Sequence, residues 1–127
     1  MRPLSDLPRA VATGAHTVFS DIDDTLTTDG RLTPPAYAAM DALQRAGLRV
    51  ILITGRPAGW CDHIGRMWPV DGVIGENGAF YCWHDAAAHK LQCRHLLNAT
   101  ERSAHAARLA RVRDTITWRP ARALDAV

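Results

Sequence analysis

The sequence predicts an α/β fold containing part of a doubly wound, Rossmann-like parallel sheet, and three observations carry that expectation. Short apolar runs at residues 16–22, 50–53 and 72–74 alternate with two stretches of helical spacing. The middle run, Val50-Ile51-Leu52-Ile53, has no polar interruption, the pattern of a parallel strand covered on both faces. The order strand, helix, strand, helix, strand calls for right-handed crossovers.

Residues 16–22 read as a buried strand, followed over 24–33 by a polar loop in which Asp29 is a turn residue. Thr33-Pro34-Pro35 reads as a helix start, with Thr33 as N-cap and proline tolerated in the first turn. Ala36, Met40 and Leu43 follow at helical spacing, and Gly47 suits the C-terminal cap. After the second strand, residues 57–68 predict a helix with Trp60, Ile64 and Met67 on one face. In this reading Trp60 and Trp68 pack, Cys61 is core, and Asp62 is a turn or cap residue. Gly72-Val73-Ile74 is the third strand.

Beyond Gly78 the composition changes. All nine glycines lie at or before that position. Residues 1–78 carry seven basic and nine acidic side chains, whereas residues 79–127 carry eight and four. The sequence therefore divides into an N-terminal half-core, 1–78, and a second part, 79–127. In the second part Ala79-Phe80-Tyr81-Cys82-Trp83 and Lys90-Leu91-Gln92-Cys93-Arg94 read as a hairpin. Asn98 with Glu101 reads as a capping box opening a helix to about Ile116, with His105, Leu109, Val112 and Ile116 as its apolar stripe.

Composition excludes several classes. At 127 residues, 47% hydrophobic and 22% charged, the chain has the makeup of an ordinary globular domain, and its net charge of +2 names no partner. The arginines near the C-terminus form no single basic ribbon, because Arg108 and Arg111 lie opposite the apolar stripe while Arg102 and Arg113 flank it; no nucleic-acid partner is expected. No run is long enough to span a bilayer. Three cysteines without a Cys-x-x-Cys pair argue against a disulfide framework and for a reducing compartment, so a cytoplasmic location is expected. The six histidines show no metal-ligand spacing.

The chemistry concentrates in Ser20-Asp21-Ile22-Asp23-Asp24-Thr25 and Thr54-Gly55-Arg56. On an extended backbone, residues i and i+2 point to one side, so Asp21 and Asp23 can face one reacting phosphorus while Ile22 turns into packing. One carboxylate can attack and the other can move protons. Attack by an anion on a phosphate calls for a cation, and carboxylate oxygens suit Mg2+. Thr54 is placed to hold phosphoryl oxygens, Gly55 lets the backbone approach, and Arg56 adds positive charge. A calcium loop starting at Asp21 would need Gly and Glu where Leu26 and Leu32 stand, which excludes it. A phosphoacceptor receiver domain would need an aspartate at the end of the third strand, where Gly75-Glu76-Asn77 stands instead.

Asp21-Ile22-Asp23-Asp24-Thr25-Leu26 resembles the first motif of the haloacid dehalogenase superfamily, and Thr54-Gly55-Arg56 resembles the second. Gly75-Glu76-Asn77-Gly78-Ala79 is similar to the Asn-Gly-Ala turn of the branch that carries a large cap and includes sugar-phosphate phosphatases. The resemblance implies that Asp21 is the nucleophile forming an aspartyl-phosphate and that Asp23 protonates the leaving group and then activates water. It implies that the Asp21 side chain and the Asp23 carbonyl ligate Mg2+. Thr54, Gly55, Arg56 and Asn77 would bind a small phosphorylated metabolite.

The family's later lysine or arginine and its Gly-Asp loop have no recognisable counterpart, and Lys90 is the sole lysine. The sequence reads as stopping inside the cap, with 117–127 matching nothing clear. Impaired activity is therefore expected, along with an open sheet edge near Val18 and Phe19 available for self-association or a partner strand. The competing expectation is a non-catalytic fragment that keeps the anion and metal pocket and acts by pairing with another chain.

Overall fold

The computed structural model describes residues 3–116. The chain divides into two compact units, 1–96 and 97–127. The first holds α1 (Arg9–Thr13), β1 (Thr17–Asp21), β2 (Thr27–Thr28), β3 (Arg31–Leu32), α2 (Pro34–Arg45), β4 (Arg49–Ile53), α3 (Ala58–Met67), β5 (Gly72–Gly75), β6 (Phe80–Asp85) and β7 (Lys90–His95). The second holds α4 (Ala99–Thr115).

One five-stranded sheet runs in the order β1-β4-β5-β6-β7. The β1, β4 and β5 strands are parallel, with Asp21 level with Ile53 and Ile53 level with Ile74. The β6 and β7 strands then add antiparallel. Composition marks a change after Gly78, but the hairpin continues the core sheet and the compact units divide after Leu96.

Both crossovers step the same way along the sheet. Right-handed crossovers of one direction lay their helices on one face, and the core shows it. Met40 of α2 and Cys61 and Ile64 of α3 pack in a single cluster with Ile22, Val50, Leu52, Val73, Phe80 and Cys82. The expectation that 50–53 is covered on both faces is thus corrected: Val50 and Leu52 are buried, while Ile53 on the other face is exposed. Phe19, 60% exposed, shows the same for β1, which is half-covered rather than buried. The architecture is one winding of a doubly wound sheet. Asp71 ties α2 to β4, since its Oδ2 accepts the Val50 N–H at 2.8 Å and Gln44 Nε2 at 3.0 Å.

Several local expectations change. The loop over 24–33 contains a small antiparallel ribbon, β2 with β3, turned by Asp29 (φ 50°) and Gly30 (φ 71°). Asp-Gly is a pair that tolerates two successive left-handed residues, which a tight hairpin requires. Thr33 stands at the N-cap of α2, yet its side chain makes no capping hydrogen bond. The buried face of α3 is Cys61, Ile64 and Gly65, so Trp60 and Met67 are exposed rather than packed. Asp62 lies inside that helix and pairs with Arg66 one turn on, at 2.9 Å.

The expectation against a disulfide is also overturned. Cys82 and Cys93 are level partners across β6 and β7 and are bonded. An odd cysteine count says only that one is left over, and that one is Cys61, free and buried. Among the described residues no helix is long and apolar enough to cross a membrane.

In the second unit the expected capping box is present: the Glu101 N–H donates to Asn98 Oδ1 at 3.0 Å, and the Asn98 N–H donates to Glu101 Oε2 at 2.9 Å. Leu109, Val112 and Ile116 of the expected stripe are exposed. The tail read as 117–127 lies outside the described residues.

Candidate active site

The carboxyl ends of parallel strands gather the chain's polar loops, and β1, β4 and β5 deliver the expected residues there. Asp21 ends β1 and is exposed; Ile22, the next residue, is buried in the core. The Ile22 carbonyl accepts the N–H groups of Thr25, Leu26 and Thr27 as well as the Thr27 hydroxyl at 3.1 Å. This hub folds the loop back at once, with Asp24 left-handed (φ 57°). It leaves Asp23 facing outward at the loop's start.

Thr54 follows β4 and is 2% exposed. Its N–H donates to the Ile74 carbonyl at 2.9 Å, its carbonyl accepts the Asn77 N–H at 3.1 Å, and its Oγ1 accepts the Arg56 N–H at 3.1 Å. The hydroxyl proton has no acceptor among the described hydrogen bonds, so it remains available to an incoming oxygen.

Gly55 passes against Asn77. A Cβ on Gly55 would lie 3.2 Å from Asn77 Oδ1, a tight contact that the Asn77 side chain would have to yield to by a few tenths of an ångström. Glu76 (φ 49°) and Asn77 (φ 55°) are both left-handed. Asn tolerates that region, whereas Glu does so at a cost, so this turn stores some backbone strain.

Arg56 closes the set. Its Nε donates to Asp23 Oδ2 at 3.1 Å and its Nη2 donates to Oδ1, a two-point ion pair. These hydrogen bonds lower the Asp23 carboxyl from its ordinary value; desolvation opposes them, and the guanidinium charge adds a lesser lowering. Burial pushes the Cys61 thiol up, with the Glu76 charge adding to it, so Cys61 is a packed thiol and not a nucleophile.

Asp23, Arg56, Thr54, Gly55 and Asn77 thus form one connected set. Asp21 joins it by position, at the end of the adjoining strand, and no described hydrogen bond engages its carboxylate. The arrangement can meet an anion through the Thr54 hydroxyl proton, the Arg56 guanidinium and close backbone, while the two carboxylates call for a cation to offset their charge. Sequence reasoning missed Trp60, whose ring lies under the Arg56 guanidinium with Cζ 4.6 Å from its centroid. The signal was the i, i+4 spacing of Arg56 and Trp60 at a helix start.

A sequence profile of haloacid dehalogenase-like hydrolases matches residues 18–110. The chain belongs to that family. The chain is also similar in fold to solved structures. One is BT1666 of Bacteroides thetaiotaomicron, described among phosphatases of the superfamily: TM-score 0.57 and 24% identity over 85% of this chain and 39% of that one. Another is a haloacid dehalogenase-like hydrolase from B. subtilis, at TM-score 0.55 and 23% identity over 78% and 34%. A third, of the same description from Bacteroides thetaiotaomicron, gives 0.57 and 16% over 79% and 38%. This chain therefore spans well under half the length of these neighbours. No curated protein sequence matches it.

The family implies Mg2+, and the donor set bears on that. The Asp21 carboxylate and the Asp23 carbonyl are both free of protein hydrogen bonds among the described residues, and both are hard oxygens. Among the described residues no group of three His, Cys, Asp or Glu could enclose an ion. Two oxygen donors with water completing the shell fit magnesium, which loses its waters reluctantly.

Proposed function

We propose that this haloacid dehalogenase-like hydrolase is built for hydrolysis of phosphoric monoesters through a covalent phosphoaspartate, on a small metabolite such as a sugar phosphate. The single observation supporting the reading is the contact chain Asp23–Arg56–Thr54–Asn77 at the tips of the parallel strands, beside the unengaged Asp21 carboxylate.

In this reading Asp21 Oδ attacks phosphorus and forms an acyl phosphate as the bond from phosphorus to the ester oxygen breaks. Asp23, having taken up a proton, gives it to that departing oxygen. The resulting Asp23 carboxylate then takes a proton from water, whose oxygen attacks phosphorus, releasing inorganic phosphate and restoring the Asp21 carboxylate. Thr54 Oγ1–H and backbone near Gly55 and Asn77 hold phosphoryl oxygens, and Arg56 balances charge. Bound between the Asp21 carboxylate and the Asp23 carbonyl, Mg2+ would supply charge neutralisation at the phosphoryl group.

Arg56 sets a requirement on this scheme. It favours the ionised form of Asp23, which suits the base step and opposes the acid step. An incoming phosphate that draws the guanidinium toward itself would relieve that opposition. The second unit, from Leu97, is proposed as the opening of a cap; the metabolite substrate suits the expected cytoplasmic location, while the Cys82–Cys93 bond removes the cysteine argument for it.

The test is phosphate release from p-nitrophenyl phosphate and from sugar phosphates in Mg2+. Turnover that is lost with EDTA and with Asp21→Asn supports the reading. Equal turnover in wild type and Asp21→Asn would remove it.

One observation favours a second reading, a module that works by pairing with another chain. The sheet face opposite the helices is uncovered among the described residues, with Phe19, Ile53 and Tyr81 exposed along it. An apolar strip of that kind marks an interaction surface.

A further inference from the structure

Arg56 is gripped from two sides. Asp23 takes two of its donors, and the Trp60 ring lies beneath its guanidinium carbon at 4.6 Å. Core packing does not explain this indole, because Trp60 is 51% exposed while its neighbours Cys61 and Ile64 fill the α3 core face.

Local structure accounts for the placement. Pro57 is the N-cap of α3 in an extended conformation, and the Trp60 N–H donates to its carbonyl at 3.0 Å. That turn sets Trp60 directly after the loop carrying Arg56. The Arg56 backbone is pinned as well, by its N–H on Thr54 Oγ1 at 3.1 Å and its carbonyl on the Glu76 N–H at 3.2 Å. Its side chain is long, and its remaining described partner is the half-exposed Asp23 carboxylate. An exposed ion pair alone holds such a chain weakly. A guanidinium stacked on an indole face loses that freedom and gains electrostatic attraction to the ring.

We propose that Trp60 is a positioning residue of this site, its ring face holding the Arg56 guanidinium in the plane from which it grips Asp23. The functional consequence rests on the hydrolase reading above; the hold itself does not. Arg56 touches the proton-moving carboxylate, and Trp60 acts through Arg56.

The test uses the full chain labelled with 15N, following the Arg56 Nε–Hε signal, assigned by its loss in Arg56→Lys. Wild type should show that proton shifted upfield by the ring and exchanging slowly with water. In Trp60→Leu the ring shift should vanish and exchange should quicken about two- to five-fold, the size expected of an exposed cation–π contact. Trp60→Phe should restore most of both, and the melting temperatures of all three should agree.

With p-nitrophenyl phosphate, whose departing oxygen needs little protonation, the base step that the Arg56–Asp23 grip favours is the one read, so Trp60→Leu should lower kcat by a similar factor at little-changed KM, with recovery in Trp60→Phe. Unchanged Arg56 exchange in Trp60→Leu, or equal loss in Trp60→Leu and Trp60→Phe, would overturn the proposal. A wild type that shows the Arg56 signature without turnover would support the hold by Trp60 and count against the hydrolase reading alone.

Discussion

Arg56 and Asp23, 33 residues apart, are joined by two parallel hydrogen bonds between the loops that follow β1 and β4. That pair favours the ionised form of Asp23, while no described hydrogen bond engages the Asp21 carboxylate, so the two acids stand in different surroundings.

In metal-free protein the Asp23 carboxyl should titrate below its ordinary value of 3.8, and Arg56→Gln should return it upward. Because the folded value is depressed, the stability it contributes is present above the unfolded value, near pH 4, and is lost as pH falls through the folded one. Wild type and Arg56→Gln should thus differ in stability at neutral pH and converge in acid, by a small margin since the pair is exposed. Carboxyl 13C titration with parallel denaturation measures both, and a higher Asp23 pKa in wild type than in Arg56→Gln would contradict the assignment.

Gly75 ends β5 where no side chain fits. A Cβ there would lie 2.7 Å from Cys61 Sγ and closer still to the Phe80 ring. Gly75→Ala should destabilise by about 1–3 kcal/mol through overpacking. Urea unfolding reads it, and a neutral result would mean the contact relaxes freely.

The sheet's architecture was legible because it rests on apolar periodicity, and the site's residue types were legible because Asp21, Asp23, Thr54 and Arg56 stand next to those apolar runs. Coverage was not. Whether Val50-Ile51-Leu52-Ile53 meets helices on one face or two depends on crossover direction, which a run of four apolar residues does not encode. The Cys82–Cys93 bond was half legible: both hairpin strands could be read, but the register that sets these residues level was needed to see it. The spacing of Trp60 from Ile64 fits a helix stripe and so reads as packing, yet the buried face of α3 runs through Cys61, Ile64 and Gly65.

The disulfide closes a short loop across the hairpin, with Cys82 and Cys93 separated by 11 positions. By chain entropy alone such a loop is worth about 3 kcal/mol. Thiol titration of the unfolded, unreduced chain should find one reactive thiol, Cys61, and reduction should lower stability measurably. Three thiols under oxidising conditions would contradict the pairing.

Phe19 stands exposed on the open sheet face. Phe19→Glu should cut concentration-dependent association in sedimentation experiments while leaving the Asp23–Arg56 pair intact. Association unchanged by that substitution would point away from this face.

The most direct measurement is where a phosphoryl group lands. The chain is mixed with Mg2+ and a phosphate ester labelled at phosphorus, quenched in acid, and digested for mass spectrometry. The label should fall on Asp21 and be absent in Asp21→Asn; a label on any other residue, or undiminished turnover in Asp21→Asn, would contradict a nucleophilic Asp21.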